Sequence, residues 1–484
     1  MSIRNISTKY SRLSLPAKAG FWFTICSIIQ RGISVISMPI FTRLFSTSEY
    51  GEYSLYTSWS MLFSLVVTLN LSSEVFNKGL IDHESEKTEY TVSQLGLISA
   101  LVGSFYLVYL VFHNVVDTIT GMNLALTSLM YLEIYSTAVV GLWYARKRFN
   151  YEYRQLIIVT LGISFSSVIV GIVAVSYAST PWKVIARVAS NVFPFFVVAF
   201  FVAVGFLSKS RAICSIKWWS ESVRLGVPLV PHYASQVLLN QADKMLIAWF
   251  LNSAKVAIYG IAHSAGLLLT MVNNGINSAF VPWLYKRLER NDFNSIGVIA
   301  NALSSIVLAL VFLLMLFAPE CVSILATEKY QEAIWSIPPI ATGVVFAFLY
   351  TLFVNVEIYY GETKSVAIAS IAAAAINLIL NWVAIPLFGY IASAYITSAC
   401  YLATAVFHYI FMQRALRRHN IRSNIYDIRF LVVLSILTLG CSGLSVILYT
   451  IPIVRHVAIG IMLIGLLAFR NRMGGLVTSI KREG

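Results

Sequence analysis

From Ile296 to Ala318 the chain reads IGVIANALSSIVLALVFLLMLFA, a run without one ionisable group. At about 1.5 Å per residue such a run forms a helix of roughly 35 Å, enough to cover a hydrocarbon core of about 30 Å. Water is absent there, so the backbone must pair within the segment, which selects helix. Working outward, comparable runs fall at 19–41, 53–72, 92–113, 122–143, 155–177, 184–208 and 222–250. Beyond them come 257–281, 335–356, 365–385, 388–411, 430–450 and 452–469. The expected fold is all-α, a polytopic membrane protein with about fourteen transmembrane helices. Its composition agrees: 58% of the 484 residues are hydrophobic and 12% charged, too apolar for a water-soluble chain of this size.

A formal charge of +14 is compatible with nucleic-acid binding, so placement decides its meaning. With the N-terminus in the cytoplasm, the inward segments hold most of the Lys and Arg. They include Arg146, Lys147, Arg148 and Arg154, then Arg414, Arg417, Arg418 and Arg422. The outward segments hold Arg43, Lys183, Lys255, Lys329 and Arg455. This asymmetry is the positive-inside pattern, with both termini cytoplasmic and no nucleic acid as partner. Arg4, Lys9, Arg12 and Lys18 precede the first span, no small-residue cleavage site follows it, and the span is expected to be retained. Cys26, Cys214, Cys321, Cys400 and Cys441 are scattered singly, which suggests neither a disulfide framework nor a thiolate metal site.

The joins of spans one to two and seven to eight share a pattern. Leu44-Phe45-Ser46-Thr47-Ser48-Glu49-Tyr50-Gly51-Glu52-Tyr53 matches Phe250-Leu251-Asn252-Ser253-Ala254-Lys255-Val256-Ala257-Ile258-Tyr259, 206 residues on. That displacement equals about six spans, and an even number makes the halves parallel repeats. Two pseudo-symmetric six-helix bundles follow, at 19–208 and 222–411, with a substrate site between them and alternating access by rocking. A basic N-terminus (1–18), a linker (209–221), a basic loop (412–429), two additional helices (430–469) and a tail (470–484) complete the expected organisation.

Several spans carry polar rows. His232, Gln236, Asn240 and Asp243, spaced by four, four and three, share a helical face, and Lys244 adjoins them. Pro228 and Pro231 precede this row and are expected to kink the helix. Tyr259, His263, Thr270, Asn274 and Asn277 make a second row; Ser27, Arg31 and Ser34 make a third; Lys183, Arg187 and Asn191 make a fourth. Tyr56, Ser60, Ser64 and Thr68 form a fifth, and Glu133 is a buried acid in span four. Asn, Ser and Thr also hydrogen-bond between packed membrane helices without touching a substrate, and intramembrane charges also form structural ion pairs. A cation inside a span, as expected of Arg187, Arg224, Lys244 and, close to mid-membrane, Arg31, nonetheless needs protein, water or an anion beside it. No Gly-x-x-x-x-Gly-Lys-[Ser/Thr] loop, Gly-x-Ser-x-Gly or Cys-x-x-Cys occurs, which leaves no catalytic residue, cofactor or metal to assign.

Four local features together resemble the Wzx-type O-antigen and polysaccharide flippases of the multidrug/oligosaccharidyl-lipid/polysaccharide exporter superfamily. They are Thr42 to Ser46 running into Tyr50-Gly51-Glu52-Tyr53, Gln241-Ala242-Asp243-Lys244, Val256 to Tyr259, and Gly361-Glu362-Thr363-Lys364. The resemblance implies a MATE-like fold in the bacterial inner membrane, moving an undecaprenyl-pyrophosphate-linked repeat unit from the cytoplasmic to the periplasmic leaflet. It also implies membrane lipid and a coupling ion, H+ or Na+, as partners, with polysaccharide polymerase and glycosyltransferases beside them; a monomer is the default expectation. Arg31, Lys244 and Arg187 are then assigned to the anionic head, where a guanidinium grips phosphate oxygens bidentately. His232, Gln236, Asn240, Asn274 and Asn277 are assigned to the glycan, and Asp243, His263 and Glu133 to ion coupling. The rival readings are a drug or metabolite exporter of the same superfamily, a peptidoglycan-precursor flippase, and a membrane-embedded polymerase or ligase. The last usually has a large periplasmic loop, whereas the longest outward segment expected here is 319–334.

Overall fold

The computed structural model describes residues 14–421 and 424–483, so Arg4, Lys9, Arg12 and Arg422 lie outside the described residues. No strand occurs among those described. The first helices are α1 (Leu15–Leu44), α2 (Thr47–Thr68), α3 (Glu74–Asp82), α4 (Lys87–Thr120), α5 (Leu124–Phe149) and α6 (Tyr153–Tyr177). They are followed by α7 (Lys183–Leu207), α8 (Ile216–Gly226), α9 (Val230–Phe250), α10 (Ser253–Glu289), α11 (Phe293–Leu316) and α12 (Ala318–Leu325). The last are α13 (Ile337–Tyr359), α14 (Thr363–Phe388), α15 (Ile391–Arg418), α16 (Ile428–Leu448) and α17 (Pro452–Glu483).

Every expected span overlaps a helix, and this is a multi-pass membrane protein. Eleven helices among the described residues are long and apolar enough to cross a membrane. The expected count of about fourteen exceeds this for a physical reason: α2 and α9 have the length but carry polar rows, while the apolar part of α17, Pro452–Ala468, is short. Segment 222–250, expected as one span, is divided. The amphipathic α8 ends at Gly226, a turn of 3-10 helix carries Pro228, and α9 begins at Val230. A proline ring cannot continue the helical hydrogen-bond ladder, so the break falls where the two prolines stand.

The chain forms two compact units, residues 1–237 and 238–484. The helix order repeats between them. Thr47 and Ser253, which start α2 and α10, are 206 residues apart, as are Lys87 and Phe293, which start α4 and α11. The two matched joins are helix N-caps. Ser46 Oγ accepts from Glu49 N (3.2 Å) while Glu49 Oε2 accepts from Ser46 N (2.7 Å), a reciprocal capping box. Asn252 Oδ1 accepts from Lys255 N (3.0 Å) and does the same work with one side chain. The repeat in sequence is thus a repeated way of satisfying the first N–H groups of a helix.

The first unit is built around buried Phe76, Tyr90, Ile98, Met130, Val139 and Leu142. Beside this core α3 lies against α4 at Gly79, where a Cβ would come within 2.0 Å of the Tyr90 hydroxyl oxygen. Tyr90 cannot retreat freely, because its ring stacks on Phe76 (5.7 Å) and meets Trp218 edge-on (5.9 Å). Gly79→Ala is expected to cost about 1–3 kcal/mol. A thermal unfolding curve in detergent checks this; an unchanged midpoint would mean that the ring moves aside at no cost.

In the second unit α11 packs with α13, α16 and α17 around Val307, Val311, Met315 and Leu434. Arg455 of α17 grips Glu320 of α12 bidentately, Nη1 to Oε2 at 2.9 Å and Nη2 to Oε1 at 2.6 Å. The same Nη1 donates to Leu316 O (3.1 Å), and Tyr449 Oη donates to Met315 O (2.6 Å). The last two helices are therefore fastened to the end of α11.

Candidate functional site

In the first unit, helices α2, α5, α6 and α7 converge on Glu133. Its carboxylate accepts from Tyr56 Oη (2.6 Å), Ser60 Oγ (3.2 Å) and Asn191 Nδ2 (2.8 Å). Asn191 Oδ1 in turn accepts from Ser167 Oγ (2.8 Å), and Ser167 receives Arg187 Nη1 on its carbonyl oxygen (3.3 Å). Arg187 is 7% exposed, and its guanidinium lies over the rings of Phe41 (4.2 Å) and Tyr53 (5.3 Å). Aromatic faces are the apolar surfaces best suited to a desolvated cation. Arg187 forms no ion pair among the described residues, and its buried Nε has no acceptor.

Two cavities flank this chain of hydrogen bonds. One, of about 440 Å³, is lined by Ser60, Ser64, Asn70, Glu133, Thr137 and Gln236, among others. The other, of about 290 Å³, is lined by Gln30, Ser34, Ser37, Ser164, Arg187 and Asn191 with aromatic neighbours. Glu133 thus faces the first cavity and Arg187 the second, with Asn191 joining them.

The second unit holds a cluster around Asp243 of α9, which is 2% exposed. The carboxylate accepts from Tyr259 Oη of α10, Thr397 Oγ1 of α15 (2.8 Å) and Asn381 Nδ2 of α14 (3.0 Å). Behind them, Ser393 Oγ donates to Asn381 Oδ1 (2.7 Å) and Asn377 Nδ2 to Thr397 Oγ1 (2.9 Å). Every direct partner of the carboxylate is neutral. Lys244 is buried beside it but donates to Gln241 Oε1 (3.3 Å), with no ion pair to Asp243 within 4 Å. Hydrogen bonds satisfy the carboxylate's lone pairs without neutralising its charge. His263, with a buried Nδ1 lacking a partner, stacks on Tyr259 at 6.4 Å.

The structure brings some sequence-chosen residues together and separates others. Glu133 and Arg187 share one network, and Gln236 lines the same cavity as Glu133. Asp243, Lys244 and His263 gather in the second unit. The α9 row does not form one lining, because Asp243 is buried whereas Asn240 is exposed, touched by Tyr401 Oη at 3.4 Å. His232 is half-buried next to Tyr233. Arg31 is exposed and has no side-chain hydrogen bond or ion pair among the described residues, and Ser27 and Ser34 of its row are exposed with it. Asn274 is also exposed, whereas Asn277 accepts from the buried Asn355 (2.7 Å).

Sequence reasoning missed Asn377, Asn381, Ser393 and Thr397, and it missed a pair on α13 and α15. There His408 Nδ1 lies 2.9 Å from Glu357 Oε1, both side chains fully buried. The repeat contained a signal for two of them. Shifted by 206, Arg187 and Asn191 fall on Ser393 and Thr397, and Tyr53 beside Arg187 falls on Tyr259 beside Asp243.

Two repeated units of membrane-spanning helices, each with a buried polar cluster, fit the plan of a transporter. The solved structures agree on the fold. A lipid II flippase MurJ in an inward closed conformation superposes with a TM-score of 0.69 at 13% identity, covering 93% of this chain and 99% of that one. An inward-facing multidrug resistance MATE family transporter of the MOP superfamily gives 0.62 at 13% identity, covering 84% and 100%. The family model described as polysaccharide biosynthesis protein matches residues 17–287, more than half of the chain, and the chain belongs to that family. A second model, MatE, matches residues 228–383. An Lsg locus protein of Haemophilus influenzae is 20% identical over 371 residues, covering 72% of this chain and 86% of the relative. The chain is thus a polysaccharide transporter of the exporter superfamily that its motifs resemble, and not an enzyme.

Proposed function

We propose that this protein flips a polyprenyl-pyrophosphate-linked oligosaccharide, an O-antigen, capsule or exopolysaccharide repeat unit, across the bacterial inner membrane. Transport runs from the cytoplasmic to the outer leaflet by alternating access, with both termini in the cytoplasm and H+ or Na+ as the coupling ion. The observation that carries this is that a chain of the polysaccharide biosynthesis family holds, in its first unit, a buried cation without an ion pair, Arg187, and, in its second, a buried, neutrally solvated carboxylate, Asp243. A hydroxyl-rich head with an anionic pyrophosphate cannot enter hydrocarbon without replacement partners. Arg187, Arg31 and Lys244 supply the charge, and His232, Gln236, Asn240, Asn274 and Asn277 supply hydrogen bonds to sugar. Asp243, with Glu133 and His263, supplies sites whose charge changes when the coupling ion binds. Two six-helix bundles with two additional helices belong to this reading, as does a monomer beside polymerase and glycosyltransferase partners.

A strain lacking the gene is expected to accumulate polyprenyl-linked oligosaccharide in the cytoplasmic leaflet and to lose its surface polysaccharide. The wild-type gene restores both and Arg31→Ala does not, since an exposed guanidinium with no protein partner has only substrate, water or headgroup to serve. Normal surface polysaccharide in that strain would instead favour a small-molecule exporter, the reading supported by the MatE match.

A further inference from the structure

We infer that the cavity around Arg187, enclosed by α1, α2, α6 and α7 of the first unit, is a built subsite for a phosphate-class oxyanion. This rests on the flippase reading and names where in the chain the diphosphate is held. Three observations support it. First, Arg187 is 7% exposed and its charge is unpaired: Nη1 donates to Ser167 O, Ser167 Oγ and Ser190 Oγ at 3.3–3.4 Å, and Nε has no acceptor. A desolvated cation whose direct hydrogen-bond partners are all neutral retains attraction for an anion, because Glu133, the acid of the same network, is joined to it only through Asn191 and Ser167 and not by an ion pair.

Second, space is kept for the guanidinium. A Cβ on Gly171 would meet Ser190 Oγ at 2.9 Å, Arg187 Nη1 at 3.0 Å and Phe41 Cζ at 3.1 Å, so a side chain there displaces the cation. Third, the cavity of about 290 Å³ is lined by polar side chains of three helices, Gln30 and Ser34 on α1, Ser164 on α6 and Asn191 on α7. Ser34 and Ser164 donate to Gln30 O and Thr160 O, so an anion there would take its donors from the Arg187 guanidinium and the side-chain amides. The Phe41 and Tyr53 rings cover the cation and fix its plane, the condition for bidentate rather than point-charge recognition. A glycan alone would not call for an unpaired guanidinium. A diphosphate would.

The test is binding of probes to the full chain purified in detergent, followed by isothermal titration. The probes are farnesyl diphosphate, inorganic pyrophosphate and farnesol. Farnesyl diphosphate is expected to bind wild type, and Arg187→Gln is expected to weaken it by about tenfold to a hundredfold, the loss of charge-assisted hydrogen bonds. Arg187→Lys should recover part of that loss. Should Arg187→Gln fail to fold, Ser34→Leu fills the cavity without touching the charge and is expected to weaken binding as well. Equal binding of inorganic pyrophosphate would keep the oxyanion site and assign it to a free anion, whereas preference for the prenyl diphosphate assigns it to a lipid headgroup. Farnesyl diphosphate binding that is indifferent to Arg187→Gln and to Ser34→Leu, or equal to that of farnesol, overturns the inference. If the genetic experiment still shows accumulated lipid-linked oligosaccharide in that case, the flippase reading stands without this subsite. Arg187-dependent binding together with normal surface polysaccharide in the deletion strain would keep the oxyanion subsite and remove the flippase reading.

Discussion

Asp243→Asn is expected to leave the fold intact and to lower gradient-driven flipping by about 5- to 150-fold, the usual range of a coupling free energy between two ligands. The substitution is nearly isosteric, and the surrounding donors are hydroxyls and amides that can turn to an amide oxygen. What disappears is the charge. Tyr259, Thr397 and Asn381 solvate that charge but do not neutralise it, so it remains free to answer a cation. The measurement is translocation of a labelled lipid-linked oligosaccharide in vesicles, with and without an imposed H+ or Na+ gradient. The variant should move substrate equally slowly in both conditions, while wild type accelerates with one of the two ions. A variant that still responds to the gradient would remove Asp243 from the coupling role.

His408→Ala is expected to destabilise the protein by about 3–5 kcal/mol, the cost of leaving one partner of a buried pair alone. Glu357 is 0% exposed, its Oε1 meets the imidazole, and its Oε2 has no hydrogen-bond partner among the described residues. The ring also stacks on Tyr350 (5.8 Å), so its removal opens a cavity as well. The double variant Glu357→Leu with His408→Leu removes both polar groups and should recover most of the loss. Unfolding midpoints in mixed micelles compare the three proteins. Equal midpoints for the single and double variants would show that the pair contributes no coupling energy.

What was legible in the sequence was whatever hydrocarbon imposes on every residue of a span. Long uncharged runs such as 296–318 located helices closely, and the join at Ser46 and Asn252 exposed the repeat because N-capping confines both positions to a few residue types. The site was only partly legible. Arg187, Glu133, Asp243 and Lys244 stand out because a charge in a span is rare and demands an explanation. Asn377, Asn381 and Thr397 did not, since a lone amide or hydroxyl in an apolar run reads as ordinary helix packing. Helical spacing also groups residues by angle without saying what covers that angle, which is why Asn240 and Asp243 share a row yet differ in burial. Glu357 and His408 lie 51 residues apart on separate helices, and nothing local in either helix announces the other.

The clamp of Arg455 on Glu320 bears on how this chain can be shortened. Helix α11 ends with carbonyls that have no intrahelical donor, as every helix does. Here the donors for Met315 and Leu316 come from Tyr449 and Arg455. Cutting the chain back to the helices before α16 would bare those oxygens, and with them the Glu320 carboxylate, at the end of α11. The two terminal helices are therefore a lid on the end of α11, and a minimal version of this transporter must keep them or supply new donors in their place.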